Sequence, residues 1–295
     1  MYYGYVAGSA AARAVPERWA YRLAHVLGTI AARRSRKAGA VARNLATITG
    51  ESPTSPRVRA LVVETYRSYA RYWLETFRLV REGRDFFLER FECLGEDNLD
   101  AVLARGKGAV VVVGHLGNWD AAGAWVAASG RRLVSVAEVL RPRRMFEFFA
   151  AHRARLGMVI VPAERGASRR LVEEVEAGSV VAILGDRDLK GRGPEVTFFG
   201  RRATLPAGPA SIALRTGVPL LVAGVYGVVR PDGTRGWEAH IGPPIELPEN
   251  RDGAVAELTQ RVAHELERLV ARRPQEWHVL APVWPDDADA AGDGA

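Results

Sequence analysis

Ala109-Val110-Val111-Val112-Val113-Gly114-His115-Leu116-Gly117-Asn118-Trp119-Asp120 joins an uninterrupted apolar run to a glycine-flanked polar segment. Five consecutive apolar residues, four of them β-branched, without polar alternation predict a strand covered on both faces. The polar segment then lies where that strand gives way to a helix. His115 and Asp120 are five residues apart, which on one continuous helix would point them about 140° apart. Across a strand-to-helix bend the carboxylate can instead curl back onto one imidazole nitrogen. The other nitrogen is then free to take a proton from a substrate hydroxyl.

The pattern repeats outward from this point. Similar short runs occur at 133–137, 158–161, 180–184 and 219–226, separated by helical segments near 118–129, 142–156, 166–177 and 206–216. Alternating strands and helices predict an α/β fold with a central, mostly parallel, twisted sheet flanked by helices. In such sheets ligands gather at the carboxyl ends of the strands. His115, Glu138 and Asp186 each fall at such an end, and this coincidence points to a site. A last amphipathic helix carries Val255, Leu258, Val262, Leu266 and Leu269 on one side.

The region before residue 82 reads as helical. Pro16 suits a first helical position, and Trp19, Leu23, Val26, Leu27 and Ile30 then make one apolar stripe. Val41, Leu45 and Ile48 make a shorter one. Ser55-Pro56 reads as a cap and first-turn proline for a long helix to about Val80, bearing Val62, Tyr66, Tyr69, Trp73 and Phe77. No linker or repeat divides the 295 residues. We expect one domain over 1–285, comprising N-terminal helices at 1–82 and an α/β core at 96–285, with a disordered acidic tail at 286–295.

The net charge is +7 overall, yet residues 1–81 hold 14 basic against 4 acidic residues, with the densest cluster at Arg33, Arg34, Arg36 and Lys37. A basic face attracts nucleic acid, anionic lipid or a phosphate-rich cosubstrate such as coenzyme A; it is also what a solvated face of an arginine-rich protein looks like. No apolar run approaches the roughly 18–20 residues that cross a bilayer, and residues 1–12 lack the basic start of a signal peptide. The lone Cys93 forms no internal disulfide, fitting a reducing compartment.

Of six histidines, only His115 follows a buried strand, has flanking glycines and is trailed by an aspartate. Gly114 and Gly117 allow close backbone approach to a substrate. Two aspartates at a strand end, Asp186 and Asp188, can bind a divalent cation, but the intervening Arg187 favours an ion-paired scaffold. Glu195 either tunes His115 or is a plain loop carboxylate. There is no Gly-x-Ser-x-Gly elbow, His-Glu-x-x-His or paired Cys-x-x-Cys motif, nor a phosphate-binding loop. A histidine base without a protein nucleophile points to direct attack of a substrate hydroxyl on an activated acyl group.

Segments Tyr69–Glu75, Gly114–Asp120, Arg153–Gly157, Asp186–Leu189, Phe198–Gly200 and Pro206–Ala210 together resemble the bacterial lipid A (lauroyl/myristoyl) acyltransferase family, and within it the phosphatidylinositol mannoside acyltransferases. The resemblance covers roughly residues 15–285. It implies a glycerolipid acyltransferase-like sheet whose amphipathic N-terminal helices rest on the anionic inner leaflet, at the cytoplasmic face of the cell membrane. It implies acyl-CoA, typically palmitoyl-CoA, as co-substrate, a glycolipid acceptor, no permanently bound cofactor and no metal. His115 would then be the base, Asp120 its orienting partner and Glu195 an assisting acid. Asn118, Trp119, Glu138, Arg153, Asp186 and Arg187 would line the substrate site.

The rival readings are an acyltransferase for a lipid A-like or lysophospholipid acceptor, an acyl-CoA thioesterase, and a basic binding module. No nucleic-acid signature accompanies the charge, so no nucleic-acid partner is expected.

Overall fold

In the computed structural model, residues 2–188, 191–285 and 287 are described. The chain opens with helices α1 (Tyr2–Ala14), α2 (Glu17–Arg34), α3 (Ala38–Thr49), α4 (Pro56–Leu79) and α5 (Arg84–Arg90). The core continues β1 (Phe91–Leu94), α6 (Glu96–Leu103), β2 (Ala109–Val113), α7 (Trp119–Ala128), β3 (Leu133–Ala137), α8 (Arg144–Arg155), β4 (Met158–Pro162), α9 (Ala167–Glu176) and β5 (Val180–Leu184). A hairpin of β6 (Glu195–Phe198) and β7 (Arg201–Thr204) precedes α10 (Gly208–Thr216), β8 (Leu220–Val229), β9 (Arg235–Ile241), α11 (Ala254–Arg272) and a 3₁₀ turn at Pro274–Glu276.

Seven strands form one sheet in the order β1-β9-β8-β2-β5-β3-β4. Five run parallel; β9 pairs antiparallel with β8 and carries β1 along its other edge. The architecture is the expected mostly parallel α/β sheet. Each central strand is buried on both sides. Val110 and Val112 pack toward the cluster that includes Leu171 of α9, Ile212 of α10 and Leu258 of α11. Ala109 and Val111 pack toward the cluster of Phe87, Leu99 and Trp125 from α5, α6 and α7. This period-2 division of one apolar run between two cores explains why β2 needs no polar face.

The N-terminal helices pack around α4. Its start follows from local chemistry: Ser55 accepts a hydrogen bond from the Val58 amide at 3.1 Å and Pro56 occupies the first turn. The α2 helix packs on α4 through its smallest residues, Ala20, Ala24, Gly28 and Ala32. At Gly28 a Cβ would stand 2.6 Å from the Arg67 Cα, so only glycine permits this approach. The large residues of the predicted stripe point the other way: Trp19, Leu23, Val26, Leu27 and Ile30 are 41–53% exposed. Among the described residues no helix is long and apolar enough to cross a membrane.

Pro16 caps α2 from outside rather than occupying its first turn. The edge strand β1, its neighbour β9, helices α1, α5 and α6 and the β6-β7 hairpin are additional to the elements read from sequence. The expected disorder at 286–295 lies outside the described residues except at Asp287, whose carboxylate pairs with Arg201 at 3.0 Å.

Candidate active site

Strand register sets the centre of the site. β2 and β5 are neighbours and pair Val113 with Leu184. His115 and Asp186 therefore each lie two residues beyond matched positions, side by side at the carboxyl edge. The His115 ring Nδ1 lies 2.7 Å from Asp186 Oδ1, and the His115 backbone amide donates to Oδ2 at 2.7 Å. The indole N–H of Trp277 donates to the same Oδ2, also at 2.7 Å. Asp186 is fully buried. Burial alone would raise its pKa, but His115 and these donors outweigh it and hold the carboxyl below its ordinary value. Nδ1 is thereby engaged, while the ring Nε2 has no partner among the described residues. The His115 side chain is 25% exposed, so the free nitrogen lies on an imidazole that reaches the surface.

The expected His115–Asp120 pair is corrected by this geometry. Asp120 sits in the first turn of α7 and turns away from the imidazole. Its Oδ1 accepts from Arg153 Nε at 2.7 Å and its Oδ2 from the Tyr72 hydroxyl at 3.0 Å. Burial opposes ionisation of Asp120, yet the adjacent Arg153 guanidinium keeps its carboxyl below the usual range. The pair joins α7 to α8 and α4 beside the site. The five-residue spacing therefore serves a brace, and the partner of His115 comes from the next strand in the sheet.

Other expected positions divide. Glu195 is exposed on the β6-β7 hairpin, where it pairs with Arg202 at 3.3 Å; it does not orient His115. Asn118 is buried and structural: its Oδ1 caps α7 at the Ala121 amide, and its Nδ2 donates to Glu75 at 2.9 Å. Asp186 is likewise buried beneath His115 instead of facing a substrate. Trp119 stacks on Tyr72 at 4.2 Å and meets the His115 ring edge-on at 5.4 Å. Glu138 and Arg187 are exposed, just beyond β3 and β5 respectively. Burial pushes the Cys93 thiol, on strand β1, up to about 12, so it is no thiolate nucleophile.

Residues 276–278 were not singled out by sequence, yet they hold the His115 loop. Leu116 and Trp277 form an isolated antiparallel bridge. The Gly117 amide donates to Glu276 O at 2.9 Å and the His278 amide to His115 O at 2.7 Å. Gly117 adopts φ 58°, and a Cβ there would stand 2.2 Å from Val225 O. His278 is buried, its Nε2 3.0 Å from Ser68 Oγ. Burial, with Arg71 and His115 nearby, holds its pKa well below the ordinary histidine value. Glu75 completes the support, accepting from Asn118, from Trp237 at 2.9 Å and from Tyr21 at 3.2 Å.

An imidazole with one nitrogen fixed by a buried carboxylate and the other open is a general base for a hydroxyl. The sequence profile of the bacterial lipid A biosynthesis acyltransferases matches residues 1–285. The chain belongs to that family. Membership in the lipid A biosynthesis acyltransferases makes acyl transfer its chemistry. Phosphatidylinositol mannoside acyltransferase from Mycobacterium tuberculosis (strain H37Rv) is 34% identical over 290 residues, which are 97% of this chain and 89% of the relative. The protein of the same description from Mycolicibacterium smegmatis is 33% identical over 289 residues, 96% and 91% of the two chains.

Proposed function

We propose that this protein transfers a fatty acyl group, palmitoyl being the expected chain, from acyl-CoA to a sugar hydroxyl of a phosphatidylinositol mannoside, at the cytoplasmic face of the membrane. The observation that carries the reading is the Asp186-bound His115 with its open Nε2 at the carboxyl edge of the sheet. The names of the relatives support the acceptor class.

In the proposed reaction the acceptor hydroxyl gives its proton to His115 Nε2 as its oxygen attacks the thioester carbonyl. Buried, ionised Asp186 stabilises the imidazolium that forms. Collapse of the tetrahedral intermediate breaks the carbon–sulfur bond, and the imidazolium returns the proton to the departing coenzyme A thiolate. The products are the ester and free coenzyme A, with no covalent enzyme intermediate. The aromatic side of α4, with Trp73 and Phe77 packed on Phe149 and His152 of α8, is the apolar wall proposed to face the acyl chain.

Membrane attachment in this reading uses the outward apolar face of α2 with the arginines that follow it. Exposed Trp and Leu beside basic residues suit a helix lying at headgroup level. Acyl transfer from radiolabelled palmitoyl-CoA to purified inositol mannosides tests the assignment. His115→Ala is expected to lose roughly 10²–10⁴-fold in turnover while unfolding at the wild-type temperature. Full turnover by that variant would overturn the proposal.

A further inference from the structure

Near the His115 loop lies a recess, a cavity of about 180 Å³ between α2, α4 and the Pro274–Glu276 turn. We propose that it is a subsite for one six-membered polyol ring, a sugar or cyclitol, belonging to the acceptor headgroup but not itself acylated. The inference rests on the acyl-transfer reading of His115.

Size is the first argument. An apolar cavity of about 150 Å³ accommodates a benzene ring, so this one has room for a single six-membered ring and not for an acyl chain. Chemistry is the second. Arg67, Arg71, Arg235 and Gln275 present donors, while Glu64 and Glu276 present acceptors. Carboxylates interleaved with guanidiniums make a poor seat for a bare anion. They match ring hydroxyls, each of which donates one hydrogen bond and accepts others. Arg67 is tied to Glu64 and Thr29, and Arg71 to Glu276, so their side chains are already held in place. Arg235 differs. Its guanidinium lies 4.3 Å from the centroid of the Tyr21 ring, and among the described residues it has no carboxylate partner. Its donors remain to be filled.

Position is the third argument. Arg235 begins β9 opposite Val229, the last residue of β8, so the cavity opens at the sheet edge that carries His115. Ser68 lines the cavity and contacts His278 Nε2 at 3.0 Å, and the His278 amide donates to His115 O at 2.7 Å. The segment Glu276–His278 thus touches both the cavity wall and the His115 loop. Tyr21 and His25 of α2 form the outer wall, on the helix whose opposite face exposes Trp19, Leu23 and Val26. A lipid whose chains lie in the bilayer against that face presents its headgroup at the depth of the cavity. One ring then fills the recess while a linked ring offers its hydroxyl to His115.

The test measures ring binding and catalysis separately, on the full chain. Saturation-transfer NMR with methyl α-mannoside and with myo-inositol, without acyl donor, identifies which ring binds. Arg235→Gln removes the charged guanidinium and its reach, and His25→Trp, on the exposed rim of α2, narrows the mouth with little risk to folding. Both are expected to abolish the transfer signal; Arg235→Gln should raise KM for an acceptor with a multi-ring headgroup about tenfold, the effect of losing a charged hydrogen bond, and His25→Trp should raise it by blocking entry. The advantage of that acceptor over a single-ring alkyl mannoside should shrink with it. No ring binding by the wild-type chain, or unchanged binding and KM in variants with native unfolding temperature, overturns the subsite. Ring binding lost in the variants by a chain that transfers no acyl group would instead leave the subsite standing and remove the proposed function.

Discussion

Replacing Asp186 by Asn separates the dyad described above from the spacing-based alternative. The carboxylate accepts the His115 amide and the Trp277 indole on Oδ2 and faces Nδ1 with Oδ1. An asparagine best keeps its single carbonyl oxygen where the two N–H donors converge. Its amide NH₂ then faces Nδ1 and needs a lone pair there, which moves the imidazole proton to Nε2. The nitrogen that should take the hydroxyl proton is now already protonated. In a histidine-based triad this kind of substitution costs about 10⁴ in kcat through the wrong tautomer. The proposed direct attack by the acceptor hydroxyl has the same need for a free base, so a loss of about 10³–10⁴-fold in kcat is expected, near 4–5.5 kcal/mol of barrier. The two Oδ2 bonds survive, so the unfolding temperature should stay close to wild type. Initial-rate acyl transfer at saturating donor and acceptor, alongside calorimetry, provides the measurement. Turnover by Asp186→Asn within tenfold of wild type would refute the tautomer argument.

Asp120→Asn should show the opposite profile, because it strips the charge partner from the largely buried Arg153. A destabilisation of about 3–5 kcal/mol is expected in urea titration, with the loss of activity following the loss of folded protein; native stability combined with a thousandfold slower kcat would restore Asp120 as the orienting acid. His278 sets a pH dependence of stability. Its folded pKa is depressed, chiefly by burial, so the unfolded chain takes up the proton first. Stability is then full above about pH 6.5 and falls below it by up to about 1.4 kcal/mol per pH unit. Urea unfolding at about pH 7.5 and about pH 5 should show a shallower fall in His278→Gln, and an unchanged slope would contradict the assignment. Introducing Glu at both Leu23 and Leu27 should weaken flotation with anionic vesicles roughly 50-fold, since two half-exposed leucines contribute about 2–3 kcal/mol on insertion. The same variant should unfold normally, and equal flotation would exclude that face as the anchor.

Much of this fold is legible in the order of residues. β2, β3 and β5 span the predicted positions because continuous β-branched runs between helices have few other stable arrangements. The start of α4 follows from Ser55 and Pro56. The site was half legible: His115 stands out locally, whereas its partner depends on which strand lies beside β2. β5 takes that place although β3 and β4 come first along the chain, and no local pattern around His115 reports that order. The contribution of Trp277 is more remote still, 91 residues from Asp186. Hydrophobicity alone does not orient α2. Its large residues would ordinarily mark the buried face, but close packing on α4 selects Ala20, Ala24, Gly28 and Ala32, leaving the bulkier stripe outside.

The bridge between Leu116 and Trp277 has a consequence for biogenesis. The His115 loop is laid down about 160 residues before the strand-like segment that braces it. Until that segment docks, the rim of the sheet is held by Asp186 but lacks its antiparallel brace. Docking of that distant segment is thus the clasp that completes the rim around His115.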